Sequence, residues 1–275
     1  MRLGISSALS HNSPVHWAEQ LKSLGCRSAV FPLNCNSDKD SIKAYAEAAA
    51  ENDIIIAEVG IWNNMLDADL EKRKENIDYA IRQIILADEI GAVCAVNIAG
   101  TPHGPRWDGG YRDNFTRETF DMTVETIQFI LEQAKPKNTH FSIESMPWMI
   151  PSGPQEYLKL IERVDRPQFS AHLDIVNMIT SPRRYFFNDE FLKECFEILK
   201  GHICSCHLKD IRLKEEFTFQ LEECAVGEGT LNIELLAELC NGANPDMPVL
   251  IEHLSTDEEY KNSLSYVQNR LGLNI

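Results

Sequence analysis

A chain of 275 residues with 44% hydrophobic and 25% charged residues has the length of one α/β barrel and the composition of a globular domain that buries a large core. Its 42 acidic residues against 26 basic ones, a net charge of −16, repel polyanions on average, so nucleic acid is not an expected partner. No apolar run approaches the ~18 residues of a membrane-spanning helix, which leaves a small molecule as the expected partner.

The chain opens on an apolar run at residues 2–8, read as the first strand. A helix over residues 14–24 comes next, with Ser13 as cap and Pro14 in the first turn. The alternation then continues through a strand at 28–33, a helix at 38–51, a strand at 54–60, a helix at 69–90 and a strand at 92–99. Gly25 and Gly91 lie just past helix ends, where positive φ is common. A helix at 117–134, a strand at 140–146, a helix at 154–164, a strand at 169–176 and a helix at 189–199 come after these. A strand at 203–209, a helix at 233–239, a strand at 249–254 and a helix at 256–271 complete the pattern. Thr256-Asp257-Glu258-Glu259 places three acids where the last helix's macrodipole favours them.

Eight β-then-α units with no strand left over predict a single-domain (β/α)8 barrel spanning residues 1–275. An open doubly wound sheet is the alternative, but the first strand is followed by Ser6-Ser7-Ala8-Leu9-Ser10-His11 rather than a glycine-rich phosphate loop. Two long connections, at 101–116 and 212–230, come after strands and belong on the catalytic face of such a barrel. The basic runs Lys72-Arg73-Lys74 and Arg183-Arg184 read as solvated surface. The eight cysteines are scattered without a CxxC pair, and no basic start precedes an apolar signal stretch, so a cytoplasmic setting is expected. Composition leaves self-association open.

In a barrel, residues at the C-terminal ends of strands converge on the active site. Strands five to eight end in Ser142-Ile143-Glu144-Ser145-Met146-Pro147, His172-Leu173-Asp174-Ile175-Val176-Asn177, Cys206-His207-Leu208-Lys209-Asp210 and Leu250-Ile251-Glu252-His253-Leu254. Each offers one ligand-type residue at a corresponding depth: Glu144, Asp174, His207 and Glu252. Any one alone is an ordinary cap, ion-pair partner or core histidine. Together, three buried carboxylates aimed at one axis repel, and a divalent cation resolves the conflict. Oxygen-rich ligands with one imidazole suit Mn²⁺, Mg²⁺ or Zn²⁺, and Mn²⁺ is the leading expectation.

These strand ends resemble the metal site of the xylose isomerase-like barrel superfamily, which includes ketose 3-epimerases, hydroxypyruvate isomerase, inosose dehydratase and the endonuclease IV repair enzymes. The resemblance implies that Glu144, Asp174, His207 and Glu252 bind one metal and that Glu144 and Glu252 also move protons. Endonuclease IV enzymes need further histidines, and His103 matches the one on strand four, but this chain has Asn177 three residues after Asp174 and Glu58 at the end of strand three, so the added ligands are mostly missing. DNA repair is therefore not implied. Asn177 also stands where ketose 3-epimerases usually carry a substrate-binding histidine, and a neutral amide can still donate to a hydroxyl. The Val226-Gly227-Glu228-Gly229 turn resembles a loop of inosose dehydratase-like members.

The candidate substrate-binding residues are Glu58, Trp62, His103, Trp107, Trp148, Asn177 and Lys209. The tryptophans offer faces for sugar C–H groups or serve as loop anchors. Lys209 stabilises an enolate oxygen or forms an ion pair at the barrel rim. His172, two residues before Asp174, also faces inward, where a packed histidine is the preferred reading. The expected chemistry is metal-assisted proton abstraction next to a sugar carbonyl through an enediolate, giving isomerisation or epimerisation. If an oxygen β to the carbonyl leaves, the same intermediate gives a dehydratase or lyase acting on a keto-sugar or keto-glycoside.

Overall fold

Short runs of small and branched apolar residues cannot bury both faces alone, and here each run is succeeded by a helix that covers it. A computed structural model describes residues 1–273 and realises that alternation. β1 (Arg2–Ile5), α1 (Pro14–Ser23), β2 (Ser28–Val30), α2 (Lys39–Glu51), β3 (Ile55–Gly60), α3 (Leu70–Glu89) and β4 (Cys94–Asn97) form the first half. A 3-10 turn at Arg112–Phe115 then leads into α4 (Arg117–Ala134), β5 (His140–Ile143), α5 (Pro154–Val164) and β6 (Ala171–Asp174). The second half continues with α6 (Ile175–Met178), α7 (Pro182–Phe186), α8 (Asn188–Ile198), β7 (Ile203–Leu208), β8 (Asp210–Leu213) and β9 (Leu221–Cys224). It closes with α9 (Ile233–Ala243), β10 (Pro248–Ile251) and α10 (Asp257–Leu271).

The eight barrel strands pair in parallel in the order β5-β4-β3-β2-β1-β10-β7-β6. Single parallel bridges, Phe141 with Phe169 and Glu144 with His172, span the seam between β5 and β6, so the ring is nearly closed. The predicted (β/α)8 barrel is the observed architecture. Two of its registers shift: Ala29 pairs with Ile56 but Val30 with Glu58, and Ala171 pairs with Ile203 but His172 with Ser205. Each irregularity inserts one residue, Ala57 or Cys204, and re-aims the side chains beyond it. Glu58 comes directly after the first, and His207 lies three residues beyond the second.

Local signals explain most helix starts. Ser13 accepts from His16 N ahead of Pro14, and Thr116 accepts from Thr119 N without a reciprocal glutamate. Thr256 and Glu259 form a complete capping box in front of the acidic first turn of α10. Gly25 and Gly91 have φ of 74° and 70°, as expected past helix ends.

The long connections depart from simple loops. Residues read as one loop after β7 fold into the antiparallel hairpin β8–β9, with Asp210 opposite Cys224 and Leu213 opposite Leu221. The buried Asp210 carboxylate accepts from the backbone N–H groups of Ile211, Gly227, Gly229 and Leu231. It thereby ties the Val226–Gly229 turn to the root of the hairpin. The strand expected to run to residue 176 instead stops at Asp174, whose side chain accepts from Asn177 N at 2.9 Å and starts α6. Among the described residues all eight cysteines are free, and no helix is long and apolar enough to cross a membrane.

Candidate metal centre

Strand alternation points every second side chain into the barrel, and the C-terminal ends of β5, β6, β7 and β10 converge. Glu144 succeeds β5, Asp174 ends β6, His207 lies near the end of β7, and Glu252 succeeds β10. All four are buried. Their candidate ligand atoms lie within 4.8 Å of one another. His207 Nδ1 is 2.9 Å from Glu252 Oε2 and 3.7 Å from Glu144 Oε1. The expected constellation is thus assembled.

Lys209 stands in the middle of it rather than at the rim. Only 2% of its side chain is exposed, and Nζ lies 2.7 Å from Asp174 Oδ2, 3.0 Å from Glu252 Oε1 and 3.3 Å from Glu223 Oε1. Burial disfavours its charge, but Asp174 and Glu252 outweigh burial and hold the ammonium well above its ordinary pKa. His207 is likewise disfavoured as a cation by burial, yet Glu252, Glu58 and Glu144 push it well up. Burial also opposes charge on Glu252, whose carboxyl is nevertheless held well down by His207 and Lys209.

These residues fit a divalent cation. Glu144, Asp174 and Glu252 place three carboxylates in one buried cluster around His207 and the Lys209 ammonium, with Glu58 on the far side of His207. Asp174 Oδ2, Glu252 Oε1 and His207 Nδ1 are buried and lack hydrogen-bond partners. The close approach of Lys209 is a charge contact without donor alignment. Unpartnered buried polar atoms among converging carboxylates are what a metal ion satisfies.

The other expected site residues fall into four groups. Glu58, Trp62 and Trp107 line a cavity of about 460 Å³ with Glu144, His207 and Glu252. Glu58 also backs the imidazole, its Oε2 lying 3.3 Å from His207 Nε2, the side opposite the cluster. A carboxylate there orients a ligand histidine and sets its tautomer. Asn177 does not line this cavity but donates Nδ2 to Glu144 Oε1 at 3.0 Å, fixing that carboxylate. His103 lines a neighbouring groove. Trp148 lines neither space, and its indole N–H donates to Asp108 O at 2.8 Å, a loop-anchoring contact. A further groove of about 600 Å³ between α2 and α3 lies on the helical exterior and contains none of these carboxylates.

Two site residues escaped the sequence reading. Glu223, on β9, reaches Lys209 with Oε1 and accepts from His253 Nδ1 at 2.8 Å with Oε2. His253, with φ of 59°, brings Nε2 to 3.6 Å from Glu252 Oε2. The alternating Asp210-Ile211-Arg212-Leu213 segment was the available signal for the hairpin that carries Glu223, whereas Leu221-Glu222-Glu223-Cys224 does not alternate.

His172 lies beneath the cluster, its ring 4.0 Å from that of His207 and nearly perpendicular to it. Nδ1 meets Ser205 Oγ at 2.6 Å. Burial pushes its pKa from 6.5 down to about 3, so it packs as a neutral ring. In the unfolded chain the same residue binds a proton at its ordinary value. Between those two values the unfolded state holds the extra proton, and stability falls as pH falls. His172→Gln is expected to reduce the slope of stability against pH by about one proton between roughly pH 4 and 6. Urea titrations across that range measure it, and an unchanged slope contradicts the neutral assignment.

The fold recurs in known structures. A D-psicose 3-epimerase crystallised with D-fructose is 14% identical, with a TM-score of 0.74 over 99% of this chain and 100% of that one. A probable 3-DHS dehydratase from Bacillus anthracis is 15% identical, with a TM-score of 0.75 over 98% and 100%. A xylose isomerase-like barrel protein from Mycobacterium smegmatis in complex with magnesium is 17% identical, with a TM-score of 0.69 over 94% and 89%. At these identities the likeness is one of fold. No curated protein matches the chain significantly. The model of the xylose isomerase-like TIM barrel family matches residues 18–270, and with the barrel and its converging strand ends in place, the chain belongs to that family.

Proposed function

We propose that this protein is a divalent-metal-dependent isomerase or epimerase that moves a proton next to the carbonyl of a small sugar. The observation that carries this reading is the convergence of Glu144, Asp174, His207 and Glu252 with unpartnered buried atoms. Those four residues would hold the ion. Mn²⁺ is proposed first, with Mg²⁺ and Zn²⁺ as alternatives for the same ligands. When bound, the ion would supply electrostatic stabilisation of negative charge developing on the sugar's oxygens.

The chain's own residues supply the proton transfers. Glu144 and Glu252 flank the cavity, one removing the carbon-bound proton and the other returning it at the new position. Asn177 keeps Glu144 in place through its Oε1. Lys209 places a fixed positive charge beside Glu252, which stabilises an enediolate formed within reach. Trp62 and Trp107 give the cavity aromatic walls on which the C–H face of a sugar packs.

A dehydratase or lyase reading has its own support. His253 lines the carboxylate cavity with Nε2 3.6 Å from Glu252 Oε2, placed to give a proton to a departing oxygen, and the hydrogen bond to Glu223 holds it above its ordinary pKa, burial opposing. Incubating the Mn²⁺-loaded protein with ketoses in D₂O separates the readings. Isomers with one carbon-bound deuterium are expected for isomerase or epimerase action, and loss of water or an aglycone for lyase action. A protein that binds none of the three metals overturns both.

A further inference from the structure

The loops after β3 and β4 enclose a second cavity, of about 630 Å³, on the same face of the barrel. It shares Trp107 and Asp108 with the cavity of the carboxylates, so one pair of residues walls both spaces. Its floor is preformed. Asn64 donates Nδ2 to Thr101 O at 2.9 Å, and its Oδ1 accepts from Thr101 N at 3.0 Å and Leu66 N at 3.2 Å. Gly100, at φ of 82°, lies so close that a Cβ would meet Asn64 Oδ1 at 2.2 Å.

The dividing wall is held from both sides. Asp108 receives Arg106 Nε at 3.1 Å and Nη2 at 2.9 Å, and its carbonyl receives the Trp148 indole N–H. The groove offers an indole, two cations (Lys72 and Arg106) and two carboxylates (Asp67 and Asp108), with His103 at the exposed rim. This balance of charge does not suit a phosphate, which calls for a surplus of cations or a backbone nest. Polar groups of both signs around an aromatic face suit a neutral, hydroxyl-rich ring.

We propose that the groove is a subsite for a second sugar unit, so that the substrate is a glycoside rather than a free monosaccharide. The keto-sugar unit sits at the carboxylates, and the glycosidic link crosses the Trp107–Asp108 wall. This rests on the reading of the carboxylate cavity as a sugar site. It also gives the lyase variant of that reading a leaving group with a place of its own.

The test is calorimetric binding to Mn²⁺-loaded Glu252→Gln protein, in which slow turnover does not interfere. The probes are D-fructose and its glucosyl derivatives turanose, maltulose and isomaltulose. At least one disaccharide is expected to bind about tenfold or more tightly than D-fructose, a difference of about 1.4 kcal/mol. Ala68 is exposed on the groove lining, and Ala68→Trp fills the groove without touching the core. That variant is expected to erase the disaccharide advantage and leave D-fructose binding within about twofold. If D-fructose binds but no disaccharide binds more tightly, or if Ala68→Trp weakens both alike, the subsite is wrong and the sugar site stands. If none of the four sugars binds, the sugar site and the subsite fall together.

Discussion

Glu252→Gln is expected to lower turnover by about 10²–10⁴-fold, the usual contribution of a positioned acid or base, while the protein stays folded. The wild-type carboxyl is held ionised below the usual carboxylate range, because His207 and Lys209 outweigh burial. It is therefore ready to accept a proton at neutral pH. Glutamine preserves the volume but removes both charge and basicity. One amide oxygen still faces the cluster, so metal affinity falls by less than turnover does. The measurement is kcat at saturating Mn²⁺, with a metal titration of the same variant. If excess Mn²⁺ restores turnover, Glu252 acts as a ligand alone, and the assignment of the base must move to Glu144.

Lys209→Met is expected to destabilise the metal-free protein by about 3–5 kcal/mol, the cost of removing one partner of a buried ion pair. Methionine occupies a similar space and adapts its shape, so the loss reads mainly the charge. Three carboxylates within 3.3 Å of Nζ lose their cation. Burial already pushes the Asp174 carboxyl well up, with Lys209 opposing it, and the substitution raises it further. A carboxyl whose folded pKa exceeds its unfolded one favours the folded state at low pH, and that advantage is lost as pH rises through the folded value. The deficit of the variant is therefore small in acid and grows toward neutrality.

Mn²⁺ should stabilise this variant more than the wild type, because it takes over the neutralisation that Lys209 supplied and no longer meets a neighbouring ammonium. Binding to the folded state alone adds about 2.7 kcal/mol at a hundredfold excess over Kd. Urea unfolding with and without Mn²⁺, at acid and neutral pH, reads all three effects. Equal metal-free midpoints for the variant and the wild type at neutral pH would falsify the central placement of Lys209.

The order of strands and helices was legible in the sequence, because apolar periodicity and capping residues act over a few neighbours. Ser13-Pro14 starts α1, and the acids after Thr256 start α10, whatever surrounds them. The four candidate ligands were legible for a related reason. In a parallel barrel, position along a strand sets depth, and Glu144, Asp174, His207 and Glu252 stand at matching strand ends. Their surroundings were not legible, because these depend on contacts between segments distant in sequence. Glu58 came out both on the cavity wall and behind His207 once an inserted residue in β3 had re-aimed it. Asn177 turned toward Glu144 because Asp174 capped a new helix turn there. His103 and Trp148 come after strand ends as Trp62 and Trp107 do, yet the paths of their loops carry them outside the carboxylate cavity. Glu223 entered the cluster on a hairpin whose pairing is decided across the turn and at Asp210, not within either strand. Local sequence determines which elements form and how deep each strand end lies. Only the packed tertiary structure decides which side chain from a distant loop fills the space between them.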